Sequence, residues 1–208
     1  MADLRTYVVL DSLQPQVASF VATIAQGFLP VPYQASLWVE IAPGMDINRI
    51  TDIALKSTEV QPGLMVVERA FGLLEVHSEE QAQVRACGAA ILDALGLEEA
   101  QRHQPRVVTS TLIKNVDHYQ TQLINRMRHG NMLIPGDTLL VMETEPAGYA
   151  AFAANEAEKA AQINILEVRA VGAFGRIYIG GDEAEVLEAH AACEKALGNV
   201  SGRKSEGR

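Results

Sequence analysis

Apolar positions in the first half of the chain switch between a period of two and a helical period. Alternation predicts a strand at residues 6–10, and apolar stretches next to Pro and Gly turns or short loops predict three more, at residues 36–41, 64–67 and 71–76. Helical spacing predicts three helices, at residues 16–25, from 47 to about 58, and at 81–95, the last ended by Gly96. The first half is therefore predicted to hold four short strands and three helices.

The same order of elements returns in the second half of the chain. Strands are predicted at residues 107–112, 138–143, 165–169 and 174–179, and helices at 117–128, 149–162 and 182–197. Identical residues recur about 103 positions apart, so that Phe71 returns as Phe174 and Lys56 as Lys159. This self-similarity indicates an internal duplication.

The duplication divides the chain into two domains of similar size. We predict a first domain over residues 1–100 and a second over 101–200, joined by the polar stretch 96–105. The polar, charged tail at 201–208 is predicted to be disordered. Helices separated from short strands indicate an α+β fold, in which each domain has a four-stranded, largely antiparallel sheet and about three helices.

Charge and composition exclude several classes of function. The 208 residues carry a formal net charge of −9 and no run of four Lys or Arg, which argues against a nucleic-acid-binding protein. No stretch approaches 18 apolar residues and the N-terminal residues lack the apolar run of a signal peptide, so we expect no membrane association. Cys87 and Cys193 lie in Ala-rich helical segments and are predicted to be buried, reduced thiols.

Catalytic and ligand-binding motifs are weak in this sequence. No Gly-rich phosphate loop or nucleophile elbow is present, and the five histidines lack metal-ligand spacing, so we expect no cofactor and no metal site. Glu143 and Glu145 alternate on one predicted strand and could form an acid–base pair with His118. A strand end that these carboxylates cap or solvate explains them better, which makes the enzyme hypothesis the weakest.

A run of residues in the second half carries a family resemblance. Residues 145–161 hold a strand, a turn at Gly148 and an Ala-rich helix in which Asn155 stands four positions before Lys159. Asp52 and Lys56 repeat that spacing. The pattern resembles bacterial microcompartment shell domains, but the strand and helix that normally end such a domain stand at its front. The chain is thus similar to circularly permuted, tandem-domain shell proteins, most closely the carboxysome-type member that forms stacked trimers, through segments 4–8, 11–16, 27–32, 36–44 and 143–150.

The resemblance implies a structural shell component and no enzyme. Three chains would form a pseudohexameric tile, with two loops of each chain meeting at its central axis as a gated pore for larger, anionic metabolites. The corresponding residues are Glu68, Arg69 and Ala70 in one loop, and Ala170, Val171 and Gly172 in the other. Two trimers would stack face to face.

The same resemblance implies a contact edge between tiles and a location. Lys56 and Lys159 match the edge lysine of the family, and Asp52 and Asn155 are placed to orient these lysines. The expected partners are further copies of the chain, other shell proteins and anionic metabolites in transit, within a microcompartment shell in the bacterial cytoplasm. The main alternative is a soluble ligand-binding regulator of duplicated α+β type that senses a small anion.

Overall fold

The computed structural model describes residues 2–204, which fold into two sheets with six α-helices. The first half contains three helices and four strands: β1 (Asp3–Leu10), α1 (Pro15–Ile24), β2 (Ala35–Ala42), α2 (Ile47–Ser57), β3 (Gln61–Glu68), β4 (Phe71–Ser78) and α3 (Gln81–Leu95). The second half repeats them: β5 (Arg106–Ile113), α4 (His118–Met127), β6 (Thr138–Glu145), α5 (Tyr149–Ala160), β7 (Asn164–Arg169), β8 (Gly175–Gly181) and α6 (Glu183–Gly198). Every predicted strand and helix is present, with bounds that differ by a few residues.

Both sheets are fully antiparallel and have the same topology. The strand orders are β1-β2-β4-β3 and β5-β6-β8-β7, so β3 and β7 are edge strands at matching positions. Even the irregularities repeat, because register shifts occur between Pro62 and Leu64 in one half and between Ile165 and Glu167 in the other. The predicted α+β fold class and the duplication are confirmed. Two residues that occupy the same place in the two halves, 103 positions apart in the sequence, are called repeat mates, or mates, below.

Helices α2 and α3 cover the first sheet, and α5 and α6 cover the second, so that the apolar residues between them are buried. Leu37 and Ile50 are fully buried in the first half, as are their mates Leu140 and Ala153 in the second. Both cysteines are buried and free, as predicted, and burial raises the pKa of the Cys87 thiol to about 11. Within residues 2–204, the helices are all too short or too polar to cross a bilayer.

The two halves of one chain pack directly against each other. Helix α1 of the first half lies on α5 and on the edge strand β7 of the second half. The buried side chains of α5 are mostly alanines, which allow neighbouring elements to approach this helix closely. This contact surface, formed by α1 on one side and by α5 and β7 on the other, is called the internal junction below.

The segment that joins the halves is more ordered than the sequence indicates. A short 3-10 helix, Glu99–Gln101, lies in the predicted polar joint, next to the predicted domain boundary. The first part of the tail returns to this joint, where Arg203 N–H donates to Arg102 O at 2.9 Å and Gln104 N–H donates to Arg203 O at 2.8 Å. The prediction of a disordered tail is therefore wrong for residues 201–203, because these backbone bonds hold them. Residues 205–208 lie outside the described residues.

Candidate pore loops

The first candidate loop is a two-residue hairpin between β3 and β4. Glu68 ends β3 opposite Phe71, which leaves Arg69 and Ala70 at the tip, and all three of Glu68, Arg69 and Ala70 are exposed. Arg69 has φ of +53°, in the left-handed region that most residues avoid. Two-residue hairpins need such a conformation at their tip and usually place Gly, Asn or Asp there. A long cation thus occupies a position that backbone preference alone does not favour.

The base of this hairpin is held from two sides. Gly44 N–H donates to Ala70 O at 2.8 Å, and the Arg5 guanidinium lies 3.7 Å from the centre of the Phe71 ring. The cation–π contact and the backbone bond thus hold the base of the hairpin from which the side chains of Glu68 and Arg69 extend.

The second candidate loop is longer and less polar than the first. It spans residues 170–174 between β7 and β8, so the predicted segment of Ala170, Val171 and Gly172 forms only its first part. Ala170 and Gly172 are buried and Val171 is partly exposed. In the single chain the Ala170 side chain packs into the core and supports the loop from below, so the chain past Ala170 is the part of this loop nearest to Glu68.

The structure brings the two loops of one chain together. Oε1 of Glu68 lies 3.2 Å from the point where a Cβ atom on Gly172 would stand, and Gly172 has φ of +98°. Both the backbone conformation and the proximity of the carboxylate therefore favour glycine at this position. The Glu68 side chain is directed toward the second loop, whereas Arg69 forms no ion pair within residues 2–204.

Charged groups surround the rear of the loops. Arg176 donates to Glu143 at 2.8 Å, and this bond, more than the nearby charge of Glu68, raises the pKa of the Arg176 guanidinium. Behind Glu68 a cavity of about 340 Å³ lies between α1 and β7, lined mainly by apolar side chains with Arg169 and Arg176 at its border.

The four candidate edge residues do not behave alike. Lys56 donates to Asp52 at 2.8 Å on an exposed face of α2, which is the contact that the i,i+4 spacing predicts. Lys159 instead donates to Glu156 at 2.6 Å. Asn155 is fully buried, accepts from Gln14 N–H at 2.9 Å, and belongs to the internal junction. The expectation that Asn155 orients Lys159 is therefore wrong, because its amide is occupied by the first half of the chain.

The hypothetical catalytic set is not assembled. Glu143 accepts from Thr109 and Arg176, Glu145 accepts from Arg106 at 2.8 Å, and His118 lies 3.5 Å from Asp117. Each group is thus engaged with a different partner, and no bond joins them within the described part of the chain.

Comparison with known proteins connects these loops to a family. Residues 4–101 match the CsoS1D N-terminal domain. Carboxysome shell protein CcmP of Synechococcus elongatus is 54% identical over 205 residues, which cover 99% of this chain and 96% of that protein. Carboxysome shell protein CsoS1D of Hydrogenovibrio crunogenus is 49% identical, over 98% of this chain and all of that one (100%). The chain belongs to the carboxysome shell proteins. It is therefore a structural component of a bacterial microcompartment shell in the cytoplasm, and the regulator alternative is not favoured.

Solved structures agree with the fold of this shell protein. The fused permuted hexameric shell protein from the RMM microcompartment superposes with a TM-score of 0.94 at 44% identity, covering 97% of this chain and 100% of the other. The double ringed trimeric shell protein from the same microcompartment also gives 0.94, at 37% identity and with 98% and 100% coverage. Tandem, permuted shell domains are thus confirmed as the fold of this chain.

One buried polar cluster beside the hairpin has no clear signal in the sequence of this shell protein. Glu40 is buried and accepts from Arg5 Nε at 2.9 Å, from Thr6 at 3.0 Å and from Gly148 N–H of the second half at 2.8 Å. This cluster links the two halves and, through Arg5 and Phe71, the base of the hairpin. The available hint is a lone Glu between Val39 and Ile41 in an otherwise apolar strand.

Proposed function

We propose that this shell protein forms a trimeric, pseudohexameric tile with a gated pore at its axis. Three chains supply six similar wedges, which is the number that closes a hexagonal ring with a true three-fold and an approximate six-fold axis. The antiparallel sheets with identical topology and register support six such wedges. The names of the two structural relatives, one hexameric and one a double ringed trimer, agree with this assembly.

The observation that supports a gated pore is the chemical difference between the two loops. One loop presents Glu68 and Arg69 on a short hairpin, and the other offers Gly172 beside them with no side chain. In the trimer, three charged hairpins alternate with three small loops around the axis, so long side chains have room to turn. Partly solvated ion pairs contribute only about 0–1 kcal/mol, so paired and separated arrangements of Glu68 and Arg69 are close in free energy.

The charge of the gate indicates which molecules would cross it. Three Arg69 side chains around one axis attract anions, whereas the chain as a whole is acidic with a net charge of −9. We therefore infer that the pore passes larger anionic metabolites. A tile and a pore of this kind need no catalytic residues in the protein itself.

Stacking of two trimers is the second part of the proposal. The loop after α1 exposes apolar side chains, among them Phe28 and Leu29, and the corresponding loop of the second half exposes Met132 and Ile134. A six-fold arrangement keeps all these loops on one side of the tile, where six apolar loops favour a second tile as partner. The exposed lysines Lys56 and Lys159 remain candidates for contacts at the tile edge.

Replacement of Arg69 tests the gate. We expect Arg69→Ala to keep the trimeric mass and to open the axis in every copy, because the cation that occludes it is lost. Arg85→Ala removes another exposed arginine, on α3, where it pairs with Asp11, and should change neither property. Mass measurement in solution and a structure of each variant are the readouts. An axis that stays closed in Arg69→Ala would refute the gate, and a wild-type protein that is monomeric at all concentrations would refute the tile.

A further inference from the structure

The internal junction contains a helix cap supplied by the other half of the chain. Gln14, the N-cap residue of α1, makes no side-chain capping bond. Instead Glu158 of α5 accepts from Gln16 N–H at 2.8 Å and from Val17 N–H at 3.0 Å. A carboxylate at this position satisfies two free N–H groups and interacts favourably with the helix dipole.

A second polar contact ties α1 to the edge of the neighbouring sheet. The side-chain amide of Gln16 donates to Ile163 O at 2.6 Å and accepts from Ile165 N–H at 2.9 Å. The amide therefore satisfies two backbone groups at the start of edge strand β7, whose next outer carbonyls, those of Ile165 and Leu166, accept from Asn131 and Gly130 N–H.

The repeat mates of these residues have all changed together. Asp117 stands where Gln14 does, and it caps α4 itself by accepting from Tyr119 N–H at 2.8 Å. A helix with its own cap needs no external carboxylate, and the mate of Glu158 is Leu55. Tyr119 replaces Gln16, and Pro62, which has no N–H to donate, replaces Ile165. The cap from Glu158 and the bonds from Gln16 to the sheet edge therefore have no counterparts among these mates.

The surfaces that carry these mates are exposed in the single chain. Leu123 of α4 is 67% exposed, whereas its mate Phe20 is 2% exposed within the internal junction. Met65 of β3 is 39% exposed, against 4% for its mate Val168. The single chain therefore exposes two surfaces with apolar side chains, one on α4 and one formed by α2 and β3. Their counterparts, on α1 and on α5 with β7, cover each other in the internal junction.

We propose that these two faces cover each other between successive copies of the chain, with α4 of one copy on α2 and β3 of the next. The occupant is a second copy because the internal junction already shows how such faces fit, and the pseudo-six-fold ring repeats that fit. Tyr119 and Leu123 then pack against Leu55, Pro62 and Met65 of the next copy. This inference rests on the proposed trimer and adds the residues that close it.

The two kinds of junction in the ring therefore differ in chemistry. The internal one depends on hydrogen bonds from Glu158 and Gln16, and the one between copies depends on burial of apolar side chains. Apolar burial is the driving force that suits association of separate chains, because it needs no precise pairing before the surfaces meet. Asp52, the mate of the buried Asn155, is placed at the junction between copies, which leaves Lys56 alone as the first-half edge candidate.

The junction between copies must also be wider near the sheets. Gly148 lies so close to Thr6 that a Cβ atom on it would stand 2.8 Å from Thr6 Oγ1. Its mate is Met45, which carries a side chain, so an identical approach to Thr109 of the next copy is sterically blocked. The match between the junctions is closest along the helices and at the edge strand.

The ring also determines which loop each gate residue meets. Glu68 lies beside Gly172 of its own chain. The mate of Glu68 is Val171, and the mate of Gly172 is Arg69. The equivalent contact at the junction between copies therefore places Arg69 beside Val171 of the adjacent copy. Each charged hairpin is thereby flanked on one side by its own chain and on the other by a neighbour.

A charge placed on α4 tests the junction between copies. We expect Leu123→Asp to weaken trimer formation about 100-fold, because it buries a carboxylate in an apolar contact. Leu123 is exposed in the single chain, so the variant should keep the circular dichroism spectrum of the folded protein. Leu187→Asp is the matched control, since Leu187 is 41% exposed on α6 and lies on neither face. Sedimentation over a range of concentrations gives the dissociation constants.

A cysteine pair provides an independent readout. In Leu55→Cys/Tyr119→Cys, oxidation should link successive copies into covalent dimers and closed trimers on a denaturing gel, whereas Leu55→Cys/Leu187→Cys should not. The native thiols are buried and give little background. This inference would be overturned if the wild type forms trimers and either Leu123→Asp associates as tightly as the wild type or Leu55→Cys/Tyr119→Cys forms no links. The proposed tile would still stand in that case. A wild-type monomer would instead overturn the tile.

Discussion

Glu40 and Glu143 occupy the same place in the two halves, on the second strand of each sheet, yet their surroundings are opposite. Glu40 is buried and is bonded to Arg5, Thr6 and a backbone N–H of the other half. Glu143 is partly exposed and is bonded to Arg176 and Thr109. The fold around each glutamate is the same, so the difference arises from their neighbours: Arg5 and the second half of the chain enclose Glu40, whereas Arg176 and solvent border Glu143 in the single chain.

This comparison shows how a duplicated chain can diverge without a change of fold. The first half keeps polar groups where it meets the second half, because that partner is always present at the same distance. The matching surface of the second half keeps exposed apolar residues such as Leu123, and its acidic residue remains accessible. Divergence is thus concentrated at the junctions and at the loops, whereas the strands and their register stay the same.

The largest expected effect comes from removing the buried member of this pair. Glu40→Gln leaves Arg5 buried without a counter-charge, which we expect to lower the free energy of unfolding by about 3 kcal/mol. Glu143→Gln affects a partly exposed ion pair and should lower it by about 1 kcal/mol or less. Urea unfolding at matched protein concentration measures both. Equal losses in the two variants would show that burial at the internal junction does not distinguish them.

The sequence predicts the elements of this molecule well and its junctions poorly. Hydrophobic periodicity is a local property, and a pattern that occurs in two copies can be checked in one copy against the other. The sequence therefore predicts each of the eight strands and six α-helices of the described residues. The positions of Glu68, Arg69 and Gly172 on loops follow from the same patterns.

The failures concern contacts between distant parts of the chain. Asn155 has the spacing of an edge residue, but its burial depends on Gln14, which comes from the other half. Ala170 looks like an open loop residue until the core beneath it is known. Arg203 bonds to the joint between the halves although its own neighbours are polar. None of these partners is encoded near the residue itself.

A smaller effect distinguishes the two candidate loops. Gly172→Ala places a side chain at φ of +98° beside Glu68, and we expect it to lower the free energy of unfolding by about 1–2 kcal/mol. Arg69→Gly relieves a left-handed arginine at φ of +53° and should cause no loss. Gly198→Ala, which has open space around it, controls for the removal of glycine. Thermal and urea unfolding report all three, and a loss in Arg69→Gly larger than that in Gly172→Ala would reverse the comparison.

The smallest effect is a pH dependence from the cap of the internal junction. Burial raises the pKa of the Glu158 carboxyl above its ordinary value of 4.5, although the bonds from Gln16 and Val17 act in the opposite direction. The folded state therefore binds this proton more tightly than the unfolded state does. The stability that this group contributes is complete below about pH 4.5 and is lost as the pH rises through the raised pKa.

Difference measurements isolate this contribution. The free energy of unfolding of the wild type, minus that of Glu158→Gln, should fall as the pH rises above about 4.5, because only the wild type loses a proton at residue 158. Glu156→Gln, on the same helix and paired with Lys159, provides the control for a general loss of negative charge. Leu55, the mate of Glu158, cannot titrate, so the surface between copies should lack this dependence. A difference curve that rises with pH would mean that the α1 N-terminus, and not burial, dominates the surroundings of Glu158.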